Sequence, residues 1–353
     1  NEISILKQLN HPNIIKLYDF QMTKNHYYII TEFCNGGSLG DCLKKFKAMY
    51  RKAFPEEYVQ HLMRQIVGAI QYLHNNRIIH RDLKLDNILV NFYSEQDRST
   101  LNMMRAEVKL IDFDFARYLS KEEYAKTVLG SPITMEPKIL SAANQGIPQI
   151  DGYDDSVDIW SLGILCYEML IGRAPFFSET VPGIVQNVEM GSYALPLYLS
   201  KEIVSFLNGM IQYNSSKRLD ANQLARHHFL VKNTKEFTPL NLSGKINNVQ
   251  NGNLIVNTKE PFWKDYSIND VSALNQVTPN LLIPQQNMNA NYFWNNTNNI
   301  HNYFTPYNVA LGGIVQTQPN ITNQIPTGQA VINQYPVTQF NQAGLANFRV
   351  IYG

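Results

Sequence analysis

The sequence predicts an α+β body in two lobes, a small strand-bearing one followed by a larger, mainly helical one. Two short apolar runs, residues 14–20 and 26–33, are parted by a polar turn and read as strands. Past the chain-breaking pair Gly36-Gly37 the apolar period lengthens. Leu62, Met63, Ile66, Val67, Ile70 and Leu73 share one face of a long helix. Charge marks where the body ends. Charged and apolar residues mix up to Lys232, whereas residues 271–348 contain no Asp, Glu, Lys or Arg.

Taken in order, Ile3, Leu6 and Leu9 recur at helical spacing, and His11-Pro12-Asn13 ends that helix. Ser38, with Asp41 three residues on, is placed to cap the next one. Residues 88–90 and 108–111 read as short strands around a polar insertion, 91–107. The pattern is helical from there, most strongly over 158–171. These elements assign residues 1–232 to the folded body, with 1–33 in the small lobe and 36–232 in the large one. Residues 233–353 form an Asn/Gln-rich, low-complexity tail, expected to be disordered because it offers few apolar side chains at a fixed period. An inert tail and a self-associating one both fit its composition; a genome-wide Asn/Gln bias favours the inert one.

With 30 Lys+Arg against 29 Asp+Glu in 353 residues, the balance gives no electrostatic case for nucleic acid or an acidic membrane surface. Cys34, Cys42 and Cys166 are scattered without a Cys-x-x-Cys pair, which predicts reduced thiols and a cytoplasmic location. The most apolar stretch, 160–170, is too short to span a bilayer. The chain opens on Asn1 inside an apolar-periodic segment, so we expect sequence upstream of it. Oligomeric state leaves no signal.

The chemistry concentrates in His80-Arg81-Asp82-Leu83-Lys84-Leu85-Asp86-Asn87-Ile88-Leu89, between the long helix and a strand. Phosphoryl transfer from ATP needs a carboxylate to orient the attacking hydroxyl, a cation near the moving phosphate and oxygen ligands for magnesium. Asp82, Lys84 and Asn87 bring such groups within one tight loop. The run resembles the catalytic loop of eukaryotic protein kinases, and a solvated polar loop is a poor rival for a match of this length. The resemblance implies a protein-kinase-like two-lobed fold with a partial small lobe lacking its first strands. It also implies ATP and Mg2+ as cofactors and Ser/Thr hydroxyls of protein substrates as acceptors.

Further motifs extend the resemblance over residues 1–232. Lys109-Leu110-Ile111-Asp112-Phe113-Asp114 resembles the magnesium motif, with Asp112 and Asn87 as metal ligands. Asp114 departs from the family, which has Gly there; the change brings a side-chain conformational cost and a second carboxylate beside the metal. Thr127-Val128-Leu129-Gly130-Ser131-Pro132 resembles an activation segment. Thr127 stands at the position of an activating phosphate, Arg81 is that phosphate's expected partner, and Ser131 lies on the substrate side. In the ending Met135-Glu136-Pro137-Lys138, Lys138 replaces a glutamate that pairs with the residue matched by Arg218. The two cations are expected to repel unless Glu136 supplies the pairing.

Glu2 resembles the helix glutamate that holds the ATP-contacting lysine. That lysine and the glycine-rich loop lie upstream of Glu2 in the family, so the chain as given is expected to bind ATP poorly. Asp158 resembles the residue that bonds the catalytic-loop backbone. Leu6, Leu17, His80 and Phe113 match an apolar column. Thr31, Glu32, Phe33 and Cys34 resemble the adenine-holding hinge, which works through backbone groups, and Leu89 would lie beneath the base. Lys84 and Gly130-Ser131-Pro132 favour serine/threonine specificity. The same segment and the long insertion resemble the autophagy-initiating kinases. Asp86 and Glu168 lie where some kinases attract basic residues of a target. Two function classes follow: a serine/threonine kinase, or a pseudokinase acting as a regulatory binding module, the latter motivated by Asp114 and Lys138. A structural Asn/Gln-rich assembly protein accounts only for the tail.

Overall fold

The computed structural model describes residues 2–24, 26–119, 125–240, 249–259 and the backbone of a strand at 346–352. The chain divides into two compact units, one of residues 1–16 and 34–305 and one of 17–33 and 306–353. Helix and strand are both present, as the α+β reading requires.

The larger unit opens with α1, Glu2–Leu6, whose Glu2, Ile5 and Leu6 are buried. The helix is shorter than the Ile3-Leu6-Leu9 spacing predicts, because the chain turns off before His11. The residues expected to begin the first strand do something else. Ile15 N–H donates to Leu110 O at 3.0 Å and Leu110 N–H to Asn13 O at 2.8 Å, which ties this segment to the larger unit. Residues 1–16, read as part of the small lobe, fall in the larger unit. In the smaller unit, β1 (Leu17–Met22) and β2 (His26–Glu32) form an antiparallel pair.

The larger unit resumes with β3 (Gly37–Ser38) and α2 (Leu39–Tyr50). Ser38 caps α2 as predicted, its hydroxyl accepting from Asp41 N–H at 3.0 Å. Next come α3 (Glu56–Asn75), with the predicted apolar face buried, then β4 (Ile78–Ile79) and β5 (Ile88–Phe92). The polar insertion holds a short helix, α4 (Glu95–Thr100), and leads to β6 (Ala106–Leu110), which pairs with β5. The strands β7 (Arg117–Tyr118) and β8 (Ala125–Thr127), helix α5 (Pro137–Asn144) and strand β9 (Gln149–Tyr153) follow.

Helix α6 (Ser156–Ile171) is buried nearly all round, as its near-continuous apolar sequence dictates. It packs on α3 and on α8 (Lys201–Met210). Gly163 permits the second contact: a Cβ there would lie 2.6 Å from Ile211 Cγ1. Between them lie α7 (Val181–Met190) and β10 (Ser192–Pro196), and after them α9 (Ala221–Ala225) and α10 (His228–Val231). Among the described residues no helix is long and apolar enough to cross a membrane.

The folded body does not stop at Lys232. Strands β11 (Val249–Gln250) and β12 (Asn253–Asn257) form a hairpin, and β12 adds to β10 in the register Ala194↔Ile255. The connection is Asn251-Gly252, with φ of 49° and 73°. Asn-Gly is the preferred pair for a turn that needs left-handed backbone at both positions. Leu254 and Val256 are fully buried, and Thr258 donates from its backbone and its hydroxyl to Gly191 O. Reading 233–353 as a tail overlooked this turn; most of the Asn/Gln-rich stretch lies outside the described residues. In the smaller unit, β13 (Ala346–Tyr352) pairs antiparallel with β2, Phe348 opposite Ile30.

The expected Lys138–Arg218 repulsion does not arise. Glu136 caps α5, accepting from Ile139 N–H at 3.2 Å, and its other oxygen meets Arg218 at 3.2 Å with both groups buried. Lys138 is exposed and donates to Gly152 O. A helix start aims the Glu136 side chain inward and leaves position 138 on the outer face.

Two stability predictions follow from these contacts. Glu136→Ala strands a buried guanidinium and is expected to cost about 3–5 kcal/mol in urea unfolding, whereas Lys138→Ala should stay within about 0.5 kcal/mol. Equal losses at both positions would overturn the pairing. Leu254→Ala in the docked hairpin is expected to cost about 2–5 kcal/mol. An unchanged urea midpoint would show that the hairpin is not part of the cooperative unit.

Candidate active site

The loop after β4 is held from below by one carboxylate. Asp158, on the first turn of α6 and fully buried, accepts from His80 N–H and Arg81 N–H, each at 2.9 Å. His74, on the last turn of α3, adds a ring contact at 2.9 Å. Burial by itself raises the Asp158 carboxyl, but the His74 ring and the His80 contacts outweigh it and hold the group below the usual carboxylate range. The role expected for Asp158 is thus met in its geometry. His80 points the other way: its ring reaches Ile111 O at 3.1 Å and stands edge-on to Phe113 at 5.0 Å.

Above that anchor, Asp82 collects three donors. Lys84 Nζ lies 2.7 Å and Asn87 Nδ2 2.9 Å from Oδ2, and Ser131 Oγ donates to Oδ1 at 2.8 Å. Lys84 Nζ also reaches Ser131 Oγ at 3.1 Å. Asp82 and Asn87 are buried, and Lys84 is half-buried. A buried carboxylate is stable as an ion only when so surrounded. Asn87 Nδ2 is spent on Asp82, donating to its backbone oxygen as well. Its amide oxygen is the atom a hard cation takes.

Sheet pairing brings the second run to the first. Ile88 pairs with Leu110, and Ile111 N–H donates to Asn87 O at 2.9 Å, so Asp112 follows directly beside the loop. Oxygens of Glu2, Asp112 and Asp114 lie within 4.8 Å of one another. This donor set, all hard oxygen, suits Mg2+ rather than a softer metal. The left-handed backbone in this motif is at Asp112, with φ of 67°. Asp114 takes no positive φ, so what it changes is charge.

Of the other candidates, Leu89 is half-buried on β5, opposite Lys109 and Ser38. Cys34 is buried in the larger unit. Thr31 and Glu32 end β2 in the smaller unit, and Phe33 is exposed beside them. Thr127 ends β8 and is half-buried. Arg81 donates through Nε to Phe115 O and through Nη1 to Tyr153 OH at 3.2 Å. Burial pushes the Glu168 carboxyl up to about 7, with Asp86 adding to the rise and Lys44 and Lys47 opposing it.

Two residues of this constellation escaped the sequence reading. His74 is signalled only by its place at the end of a helix whose next strand leads into the loop. Tyr153, in Gly152-Tyr153-Asp154, carries no local signal of its partners.

The family model of the protein kinase domain matches residues 1–230. The chain is 36% identical over 232 residues to serine/threonine-protein kinase ULK1 of Homo sapiens, covering 65% of this chain and 21% of that protein. It is 33% identical over 241 residues to myosin light chain kinase A of Dictyostelium discoideum, covering 67% of this chain and 74% of that protein. With serine/threonine-protein kinase TIO of Arabidopsis thaliana it shares 35% over 236 residues, 67% of this chain and 16% of that protein. The chain thus spans a minor part of two of these three relatives. On the family match and on the convergence of the loop, the magnesium motif and the Asp158 anchor, the chain belongs to the protein kinase domain family.

Proposed function

We propose that the protein transfers the γ-phosphoryl group of ATP to serine or threonine hydroxyls of protein substrates. One observation carries this reading. The Asp82 carboxylate accepts from an aliphatic hydroxyl, that of Ser131, at 2.8 Å while a lysine and an amide fix its other oxygen. A substrate hydroxyl that replaced Ser131 Oγ would stand where Asp82 orients it and takes its proton.

Bound Mg–ATP supplies the transferable phosphoryl group and the metal charge that neutralises its oxygens. Asn87 and Asp112 would hold the metal. Lys84, half-buried and already beside the hydroxyl site, sets a positive charge next to the oxygens that gain charge. Glu2 is the carboxylate that would hold an ATP-contacting lysine, and backbone groups around Glu32, Phe33 and Cys34 would hold adenine. Thr127 is proposed as a phosphorylation site. Asp86 and Glu168 favour substrates with basic residues, since a cation beside Glu168 relieves the burial that raises its carboxyl. Cysteines buried as thiols support a cytoplasmic location. The Thr127–Ser131 segment and the 91–107 insertion support a place beside the autophagy-initiating kinases. The binding-module alternative loses one of its two motives, because Glu136 holds Arg218.

In full-length protein, Asp82→Asn is expected to lower phosphate incorporation into a generic substrate at least about 100-fold. Equal labelling by this variant would end the mechanism. Saturating Mg–ATP, at about 100 times Kd, is expected to stabilise the protein by about 2.7 kcal/mol, read as a rise in Tm of about 5 °C or more. Asp112→Asn or chelation of the metal should remove most of that rise, and a rise that survives both would rule out the metal assignment.

A further inference from the structure

Arg81 and Thr127 are joined in this structure by a third residue. Strand β9 pairs with β8, Ala125 opposite Tyr153 and Thr127 opposite Gln149. Val128 N–H extends the pairing to Pro148 O at 3.0 Å. This brings the Tyr153 ring under the segment, where it is 6% exposed, too little for water to satisfy its hydroxyl. The hydroxyl instead donates to Thr127 O at 2.7 Å and accepts from Arg81 Nη1 at 3.2 Å. Arg81 Nε is fixed on Phe115 O, three residues past Asp112, and Arg81 N on Asp158. One guanidinium thus links the loop, the magnesium-motif segment and, through Tyr153, the backbone of Thr127.

The link continues into the site. Arg81 has φ of 70°, a left-handed conformation that a side-chain-bearing residue keeps only where its surroundings enforce it. Its carbonyl lies close beside Gly130, where any Cβ would meet it at 2.8 Å. The next residue is Ser131, whose hydroxyl sits on Asp82. Movement of Thr127 or of the Arg81 side chain is therefore transmitted to the residues that flank the acceptor site. Burial raises the Tyr153 hydroxyl above the ordinary phenol range, with Arg81 opposing the rise.

We propose that Tyr153 is a positioning residue: its hydroxyl bridges Arg81 to the Thr127 backbone and holds the activation segment ordered over Asp82 without a phosphate on Thr127. This rests on the kinase reading. A neutral hydroxyl here does with geometry what a phosphate on Thr127 would do with charge.

The test uses full-length protein treated with a phosphatase. Wild type should remain active on a peptide substrate. Tyr153→Phe keeps the ring and removes the bridge. It should lower kcat about tenfold, the order expected for losing one hydrogen bond to a charged group, with KM for ATP moving less than about twofold. Arg81→Ala should lower kcat too, and adding Tyr153→Phe to it should cost less than Tyr153→Phe costs alone, because the bridge is already broken. Replacing Tyr153 by 4-aminophenylalanine, which can both donate and accept, should restore most of the loss. Should Tyr153→Phe fold poorly, this replacement and its recovery carry the comparison. Additive losses at Arg81 and Tyr153, an indifferent Tyr153→Phe, or a wild type that needs Thr127 phosphate for any activity would each overturn the proposal. Inactivity of phosphorylated wild type toward every substrate would instead overturn the kinase reading beneath it.

Discussion

Asp158 is a carboxylate with no exposed surface, and the loop that begins at His80 hangs from it. Its two oxygens take the backbone N–H groups of His80 and Arg81, so the loop is fixed by its main chain before any of its side chains act. A buried carboxylate would be costly without partners, and His74 completes the set. Because Asp158 sits on the most deeply buried helix, packed against α3 and α8, the loop inherits the rigidity of the core. Asp82 needs this. A carboxylate that must face a hydroxyl to within a few tenths of an ångström cannot tolerate a loop that drifts.

The second constraint is the β5–β6 ladder. It joins the end of the 80–87 loop to the residue before Asp112, because pairing at Ile88↔Leu110 leads into the next hydrogen bond, Ile111 N–H to Asn87 O. The insertion between the two strands can vary in length without disturbing this register. Here it holds α4, whose Arg98 donates to Asn35 O, while Tyr50 donates to Thr100 O. The extra residues are accommodated at the surface by their own polar contacts and leave the ladder intact.

The loop was legible because the residues that make it are close in sequence. His80 to Asn87 specify a loop, and the pattern of residue types in that loop has few other uses. Ser38 and the apolar face of α3 were legible for the same local reason. What escaped depends on distant partners. Glu136 and Arg218 were both recognised, but which of Glu136 and Lys138 turned inward was decided by the helix cap that Glu136 itself forms. Tyr153 acquires its role from strand pairing between β8 and β9, which short polar sequences do not announce. The hairpin at 249–257 was readable in Asn251-Gly252 and the alternation after it; the Asn-rich composition around it masked the turn. Composition averages over a window, and a two-residue turn is lost in the average.

Asp114 shows how a departure from a family pattern is to be weighed. The glycine it replaces suggests a conformational penalty, yet the left-handed backbone falls two residues earlier, at Asp112. What remains is electrostatic. A third carboxylate oxygen joins those of Glu2 and Asp112 within 4.8 Å, one buried, one half-buried and one exposed. Solvent screens the exposed member, so its contribution to stability is small. The buried member is less screened, and its repulsion with Asp112 favours whatever cation the site can recruit. Asp114 is the solvent-facing member of that cluster, so it adds negative charge at the edge and leaves the Glu2 and Asp112 positions as they are.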